Sequence, residues 1–124
     1  MVEQAVEFTP DNVVIADKTH YTAVRDALAD HPVKVYAGSD ALEQVVCSEQ
    51  VDTVVMALVG YSGLFPTVSA LKHGKKVALA NKECLVVAGE IVTRLSAEHR
   101  APIIPVDSEH SAIFQCLTGE HSAV

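Results

Sequence analysis

Apolar runs alternate with amphipathic segments along the whole chain. Short apolar runs predict strands at residues 13–16, 33–36, 53–59, 77–80 and 103–104. The run at 53–59 is apolar after its first residue and does not alternate, which is typical of a strand covered on both faces. Apolar positions at helical spacing predict helices ahead of Thr9-Pro10 and around residues 21–28, 39–46, 64–71, 84–95 and 112–117. This alternation of strand and helix predicts an α/β protein with a doubly wound or related sheet.

The longest predicted helix has the clearest pattern. Its apolar residues share one face and lie at offsets of 0, 4, 7, 8 and 11: Cys84, Ala88, Ile91, Val92 and Leu95. Gly89 inside it costs roughly 1 kcal/mol relative to Ala. We therefore expect this glycine to allow close packing against a neighbouring element.

Composition fits such a fold and excludes some functions. The chain has 124 residues, 49% of them hydrophobic, and no Trp, so its core is built from Val, Leu, Ile and Ala. The net charge of −7 argues against a nucleic-acid-binding surface. No apolar run reaches the ~20 residues that a bilayer requires, so we expect no membrane segment. The three widely spaced cysteines, predicted to be small core residues, favour a reducing compartment over a disulfide framework or a zinc site.

Two carboxylates, Asp107 and Glu109, follow the last predicted strand directly. Residues two apart point to the same side of an extended segment but about 200° apart on a helix. The pair can therefore converge on a hard cation such as Mg²⁺ or Mn²⁺ if the strand conformation persists to about residue 109. In the alternative, Asp107 or Ser108 is a helix N-cap and Glu109 lies in the first turn; composition alone favours this alternative.

A second polar group, Asn81-Lys82-Glu83, lies between a predicted buried strand and the long helix. Ligands of open α/β sheets bind beyond the carboxyl ends of strands, which makes these residues a candidate site. In the alternative, Asn81 caps the helix and Glu83 faces its positive end. Lys82 does not fit that alternative, because a cation is unfavourable near a helix N-terminus.

Another strand-to-helix turn, Val59-Gly60-Tyr61-Ser62-Gly63, has two glycines. They allow either close approach of a ligand or a tight turn without one, and the pattern alone leaves these alternatives even. His110 adjoins the carboxylates and either tunes them or is a partly exposed hydrogen-bonding residue. The other histidines receive no assignment.

Three stretches, taken in order, resemble the 1-deoxy-D-xylulose 5-phosphate reductoisomerase family. They are Met56-Ala57-Leu58-Val59-Gly60 with Gly63-Leu64, then Ala78-Leu79-Ala80-Asn81-Lys82-Glu83 with Leu85-Val86, and Pro105-Val106-Asp107-Ser108-Glu109-His110 with Ala112-Ile113-Phe114-Gln115. The opening residues resemble an internal helix of that family, so the resemblance covers essentially the whole chain. It implies a Rossmann-like, mostly parallel sheet with flanking helices, truncated at both ends.

The resemblance also implies chemistry. The family rearranges a sugar phosphate and reduces it with NADPH to 2-C-methyl-D-erythritol 4-phosphate, using Mg²⁺ or Mn²⁺. Asp107 and Glu109 match metal ligands, and Lys82, Ser108 and Glu109 match substrate contacts, with Lys82, Asp107 and Glu109 as the catalytic set. Asn81, Glu83 and Gly60 match positions beside the cofactor.

Several parts of the family pattern have no counterpart in this sequence. They are the Gly-rich dinucleotide turn, the third metal carboxylate, the substrate-phosphate site, the lid loop and the C-terminal helical domain. The resemblance thus implies that residues 1–100 form the later part of an NADPH-binding domain and residues 101–124 the start of a catalytic domain. It further implies a homodimeric longer enzyme in the bacterial cytoplasm or a plastid, and an isolated chain without activity. The alternative is a non-catalytic α/β binding or regulatory module.

Overall fold

The computed structural model describes residues 1–120 and has two compact units, residues 1–48 and a second unit that begins at Glu49. Both combine parallel strands with flanking helices, which confirms the predicted α/β class. Residues 121–124, which complete the predicted catalytic segment 101–124, lie outside the described residues.

The first unit has a two-stranded parallel sheet. Its elements in chain order are α1 (Val2–Phe8), β1 (Asn12–Ile15), a 3-10 turn (Lys18–His20), α2 (Tyr21–Ala27), β2 (Lys34–Ala37) and α3 (Ser39–Val46). Strands β1 and β2 pair with Val13 opposite Val35. The core of the unit joins α1, β1 and α2 through Ala5, Val13, Val24 and Leu28.

The second unit has a three-stranded parallel sheet in the order β3-β4-β5. Its elements are β3 (Thr53–Met56), a 3-10 turn (Gly60–Gly63), α4 (Leu64–Lys72), β4 (Lys76–Leu79), α5 (Glu83–Glu98), β5 (Ile103–Pro105) and α6 (Ser108–Leu117). The helices α4 and α5 pack on each other, and α4 also packs on β4. Leu71, Val77 and Val92, one from each of these elements, are fully buried.

The predicted helix around residues 84–95 is confirmed as α5, in which Cys84, Val92 and Leu95 are buried. The expectation that Gly89 allows close packing is wrong, because a Cβ placed there would have no atom of a neighbouring element within 4 Å. The preceding residue, Ala88, has non-helical angles (φ −141°, ψ 30°) that kink the helix. Ile91 is 47% exposed although its spacing places it with the apolar set.

Two other expectations are wrong in detail. β3 ends at Met56 rather than near residue 59, and only one of its faces is buried, since Val55 between Val54 and Met56 is 69% exposed. Among the cysteines, Cys84 is buried as expected, whereas Cys116 is exposed. In residues 1–120, no helix is both long enough and apolar enough to span a bilayer.

The backbone is strained just after the C-terminus of α5. Arg100 adopts a left-handed conformation (φ 52°), and the following N–H, of Ala101, donates to the Ser96 carbonyl at 3.0 Å. Gly74 has the same conformation (φ 69°) in the turn that ends α4. A side chain with a Cβ is penalised in this conformation by about 1 kcal/mol, and glycine is not.

We therefore expect Arg100→Gly to raise the free energy of unfolding by about 1 kcal/mol, measured by urea denaturation. Arg100→Ala keeps the strain and controls for loss of the side chain. Gly74→Ala is the reciprocal change and should destabilise by a similar amount. Equal stability of the glycine and alanine variants at residue 100 would contradict this account.

Candidate active site at the carboxyl edge of the three-stranded sheet

The register of the second sheet brings the ends of its strands together. Met56 pairs with Leu79, and Leu79 pairs with Pro105, so the last residues of the three strands form one row. Backbone bonds continue past this row, from the Ala80 N–H to the Met56 carbonyl at 3.0 Å and from the Val106 N–H to the Leu79 carbonyl at 3.1 Å. The turns that follow β3, β4 and β5 therefore leave the same edge, where parallel sheets bind ligands.

The turn after β3 has an exposed apolar surface. Val59 is 84% exposed and Tyr61 is 59% exposed. The Tyr61 ring meets the Phe65 ring edge to face, with centroids 5.6 Å apart. Gly60 begins the 3-10 turn, and a Cβ there would have no atom within 4 Å. The backbone at Gly60 is therefore open to a ligand, as one of the sequence alternatives requires.

Asn81, in the turn after β4, is 3% exposed and joined to two other segments. Its Oδ1 accepts the Cys84 N–H at 3.0 Å, which satisfies one of the free donors at the start of α5. Its Nδ2 donates to the Leu58 carbonyl and to the Gly60 carbonyl, the latter at 2.8 Å. The capping role predicted for Asn81 is confirmed, and the same side chain also holds the turn after β3.

Lys82 and Glu83 follow Asn81 and are both exposed. Glu83 begins α5, where a carboxylate faces the positive end of the helix. The charge of Lys82 acts on Glu109 in the neighbouring turn and helps to lower the pKa of that carboxyl. Lys82 also lines one cavity with Asp107, so its charge lies beside the acidic segment after β5, which helps to offset its unfavourable place at a helix N-terminus.

The segment after β5 does not stay extended to residue 109, because α6 begins at Ser108. Asp107 is its N-cap, and Oδ1 accepts the His110 backbone N–H at 3.0 Å. The same oxygen is 2.7 Å from Nδ1 of the His110 ring. The extended route to convergence is thus wrong, and the capped alternative describes the local backbone.

The hydrogen bonds of this cap keep the carboxylates charged. The pKa of Asp107 lies below its ordinary value, first because of the His110 backbone N–H and then because of the His110 ring. The pKa of Glu109 is lowered by its own backbone N–H, by the Ser108 hydroxyl at 3.0 Å and by Lys82. Both groups are therefore anionic at neutral pH, and His110 is the residue that tunes Asp107.

The carboxylate oxygens of Asp107 and Glu109 suit part of a site for a hard cation. Both bonds from His110 end on Oδ1 of Asp107, so the second oxygen of this carboxylate is not used by His110. Glu109, two residues further along the chain, is exposed. Such oxygens suit Mg²⁺ or Mn²⁺, which take about six ligands. Among residues 1–120, no three side chains of His, Cys, Asp or Glu are grouped to hold a metal. Asp107 and Glu109 are therefore candidate ligands only, and a cation held by them would need others.

An apolar cavity of about 320 Å³ lies beside these polar groups. Lys82, Asp107 and His110 line it together with apolar side chains of β4, β5, α5 and α6. The contribution of α6, from Ile113, Phe114 and Leu117, was not predicted as part of a site. Their spacing in the sequence could have indicated one apolar face, although nothing in the sequence shows that the face lines a cavity.

The structure thus separates the predicted site residues into two groups. Lys82 and Asp107 lie in the adjacent turns after β4 and β5, and Glu83, Ser108 and Glu109 lie in the first turns of the helices that follow, α5 and α6. Gly60 and Asn81 are joined directly by a hydrogen bond between the turns after β3 and β4.

Known proteins match the sequence of this chain. The family model described as 1-deoxy-D-xylulose 5-phosphate reductoisomerase matches residues 1–89. The protein of that name from Phocaeicola vulgatus is 57% identical over 117 residues, which cover 94% of this chain and 31% of the relative. The chain therefore spans about a third of the length of such relatives.

Solved structures of proteins with this name resemble the chain as well. The reductoisomerase from Zymomonas mobilis in complex with NADPH superposes with a TM-score of 0.88 at 42% identity, covering 93% of this chain and 30% of the other. A structure of DOX-P reductoisomerase in complex with NADPH, fosmidomycin and magnesium gives a TM-score of 0.88 at 38% identity, covering 93% and 28%. On the family match and these likenesses, the chain belongs to the 1-deoxy-D-xylulose 5-phosphate reductoisomerase family.

Proposed function

We propose that this chain is part of a metal-dependent reductoisomerase that converts 1-deoxy-D-xylulose 5-phosphate to 2-C-methyl-D-erythritol 4-phosphate with NADPH. The observation that carries the proposal is the placement of Lys82 beside the acidic segment Asp107–Glu109 in adjacent turns of one sheet edge, in a chain of this family. Solved relatives that hold NADPH, magnesium and fosmidomycin support the choice of cofactors.

Each residue has a chemical role in this proposal. Asp107 and Glu109 would hold a divalent ion, which supplies Lewis-acid polarisation of a substrate carbonyl oxygen. Ser108 and Lys82 bind the substrate, and Lys82 orients a hydroxyl or steadies negative charge. NADPH supplies the hydride, and the turn at Gly60 and the start of α5 at Glu83 orient its nicotinamide half.

We further infer that residues 1–100 belong to the NADPH-binding domain and residues 101–124 begin the catalytic domain. The longer enzyme is proposed to be a homodimer. The bacterial origin of the relatives favours the cytoplasm over a plastid.

Mn²⁺ binding tests the two carboxylates. We expect Asp107→Asn and Glu109→Gln each to weaken Mn²⁺ binding by at least about tenfold, measured by EPR of the free ion. Asn is as good an N-cap as Asp, so the first variant removes the charge while α6 keeps its cap. Because both carboxyl pKa values are lowered from 3.8 and 4.5, protonation of these two groups should not weaken binding between pH 7 and about pH 5.

Asp17→Asn is the matched control for that experiment. Asp17 also caps a turn, accepting the Thr19 N–H at 2.9 Å, and its pKa is likewise lowered, chiefly by the Thr19 hydroxyl. It lies in the first unit, so Mn²⁺ binding should be unchanged. Binding that survives both variants at residues 107 and 109 would favour a non-catalytic module in which Asp107 serves only as a cap.

The proximity of Lys82 to Glu109 can be tested without any ligand. Lys82→Met removes the positive charge, so the pKa of Glu109 should rise towards its ordinary value, measured by NMR titration of the side-chain carboxyl. Lys76→Met is the control, because Lys76 begins β4 at the opposite edge of the sheet. An unchanged Glu109 pKa in the Lys82→Met variant would mean that the two side chains are far apart, which would count against the proposed site.

The isolated 124-residue chain is expected to show no substrate-dependent oxidation of NADPH, because it offers two metal ligands and spans about a third of its relatives. The loss of absorbance at 340 nm, a property of NADPH itself, is the measurement. The Phocaeicola vulgatus enzyme provides the positive control. Turnover by this chain that disappears in Glu109→Gln would overturn the expectation.

A further inference from the structure

Thr67, in the first turn of α4, is completely buried and contacts two other segments. Its hydroxyl donates to the Gly63 carbonyl, in the turn after β3, at 2.7 Å. A hydroxyl has one proton to donate and two acceptor sites. Because that proton is used on Gly63, the thiol of Cys84, whose Sγ lies 4.0 Å from the same oxygen, is the donor in the second contact. The buried hydroxyl therefore links the turn after β3 to the first turn of α5.

The thiol of Cys84 can act as that donor because it keeps its proton. Cys84 is 2% exposed, and burial raises the pKa of its thiol above the ordinary value. A neutral thiol has a weak S–H donor, which the second acceptor site of the Thr67 hydroxyl can receive. The contact thus lies inside the interface where α4 packs on α5.

The two residues that Thr67 contacts also enclose the side chain of Asn81. A Cβ on Gly63 would lie 2.8 Å from Nδ2 of Asn81, so the glycine packs directly on the carboxamide. The Cys84 N–H donates to Oδ1 of Asn81 at 3.0 Å. The oxygen of a carboxamide has two acceptor sites, so this bond leaves one of them. Thr67, Gly63, Asn81 and Cys84 therefore form a closed ring of contacts.

We infer that Thr67 is a positioning residue: its buried hydroxyl holds the turn after β3 and the first turn of α5 at one spacing, and so fixes the orientation of the Asn81 carboxamide between them. Thr67 has no exposed surface, so it acts through Gly63 and Cys84 and does not touch a ligand. For the cofactor that the carboxamide and the neighbouring turns would contact, NADPH, the inference rests on the proposed function.

A second threonine makes the same bond without the contact to another helix. Thr93 donates to the Gly89 carbonyl at 2.8 Å, four residues back, as Thr67 does to Gly63. Thr93 is exposed, and its other acceptor, the Glu90 carbonyl at 3.3 Å, lies on the same helix. Such bonds to the preceding turn act on the helix that carries them. Thr93→Val is therefore the matched control for Thr67→Val.

Backbone amide NMR of the ligand-free chain is the first test. Thr67→Val keeps a branched side chain of nearly the same size but removes the hydroxyl, so the signals of residues 60–63 and 83–86 should both shift. Thr67→Ser keeps the hydroxyl and should leave both sets near their original positions. Thr93→Val should shift neither set of signals. Shifts confined to α4 in Thr67→Val, or equally large shifts in the Val and Ser variants, would overturn the inference.

A double variant distinguishes positioning from general loss of stability. Cys84→Ala removes the thiol and with it the contact between Thr67 and α5. In that background, Thr67→Val should still shift residues 60–63 but should shift residues 83–86 much less than it does in the unaltered chain. A general loss of stability acts in both backgrounds alike. Undiminished shifts of residues 83–86 in the double variant would therefore contradict a positioning role.

Titration with NADPH relates the contact to binding. Thr67→Val should weaken NADPH binding by about threefold to tenfold, the range that one hydrogen bond supports. Thr67→Ser and Thr93→Val should bind as the unaltered chain does, and equal affinity of Thr67→Val would also overturn the inference. If NADPH shifts no signal in the unaltered chain, the result counts against the cofactor of the proposed function, while the ligand-free spectra still decide whether Thr67 positions the two turns.

Discussion

The common register of β3, β4 and β5 is the constraint on which the candidate site depends. Parallel pairing places Met56, Leu79 and Pro105 in one row, so the three following turns start from a shared line. Residues far apart in the chain, such as Lys82 and Asp107, then line one cavity. A shift of β5 by one residue would invert the facing of its side chains and carry the acidic segment away from Lys82.

At Asp107 the proposed ligand role shares one carboxylate with the helix cap. One oxygen accepts both bonds from His110, and the other is left for a cation, so the structural demand of α6 does not consume the whole carboxylate. The N-terminus of a helix also favours anions, which keeps Asp107 and Glu109 charged at the place where a metal would need them. The capped alternative therefore describes the backbone, and the metal role proposed for Asp107 does not depend on the extended segment that the other alternative required.

Local patterns were enough to predict the α/β class, the helix α5 and the polar residues at two strand ends. Periodicity failed where a long-range contact decides the backbone. Beyond the end of β3, the carbonyls of Leu58 and Gly60 bond to the side chain of Asn81, and no local signal in the sequence indicates a partner more than twenty residues away. The cavity beside α6 was not predicted for the same reason, because it depends on how β4, β5, α5 and α6 pack together.

Gly63 and Asn81 also limit how this segment can evolve. With 2.8 Å between the site of a missing Cβ and the Asn81 amide, a methyl group at residue 63 is compatible only with a shorter or displaced side chain at residue 81. A shorter side chain at residue 81 would lose the bonds to the carbonyls of Leu58 and Gly60. The requirement for glycine at residue 63 is therefore a consequence of bonds that span more than twenty residues of the chain.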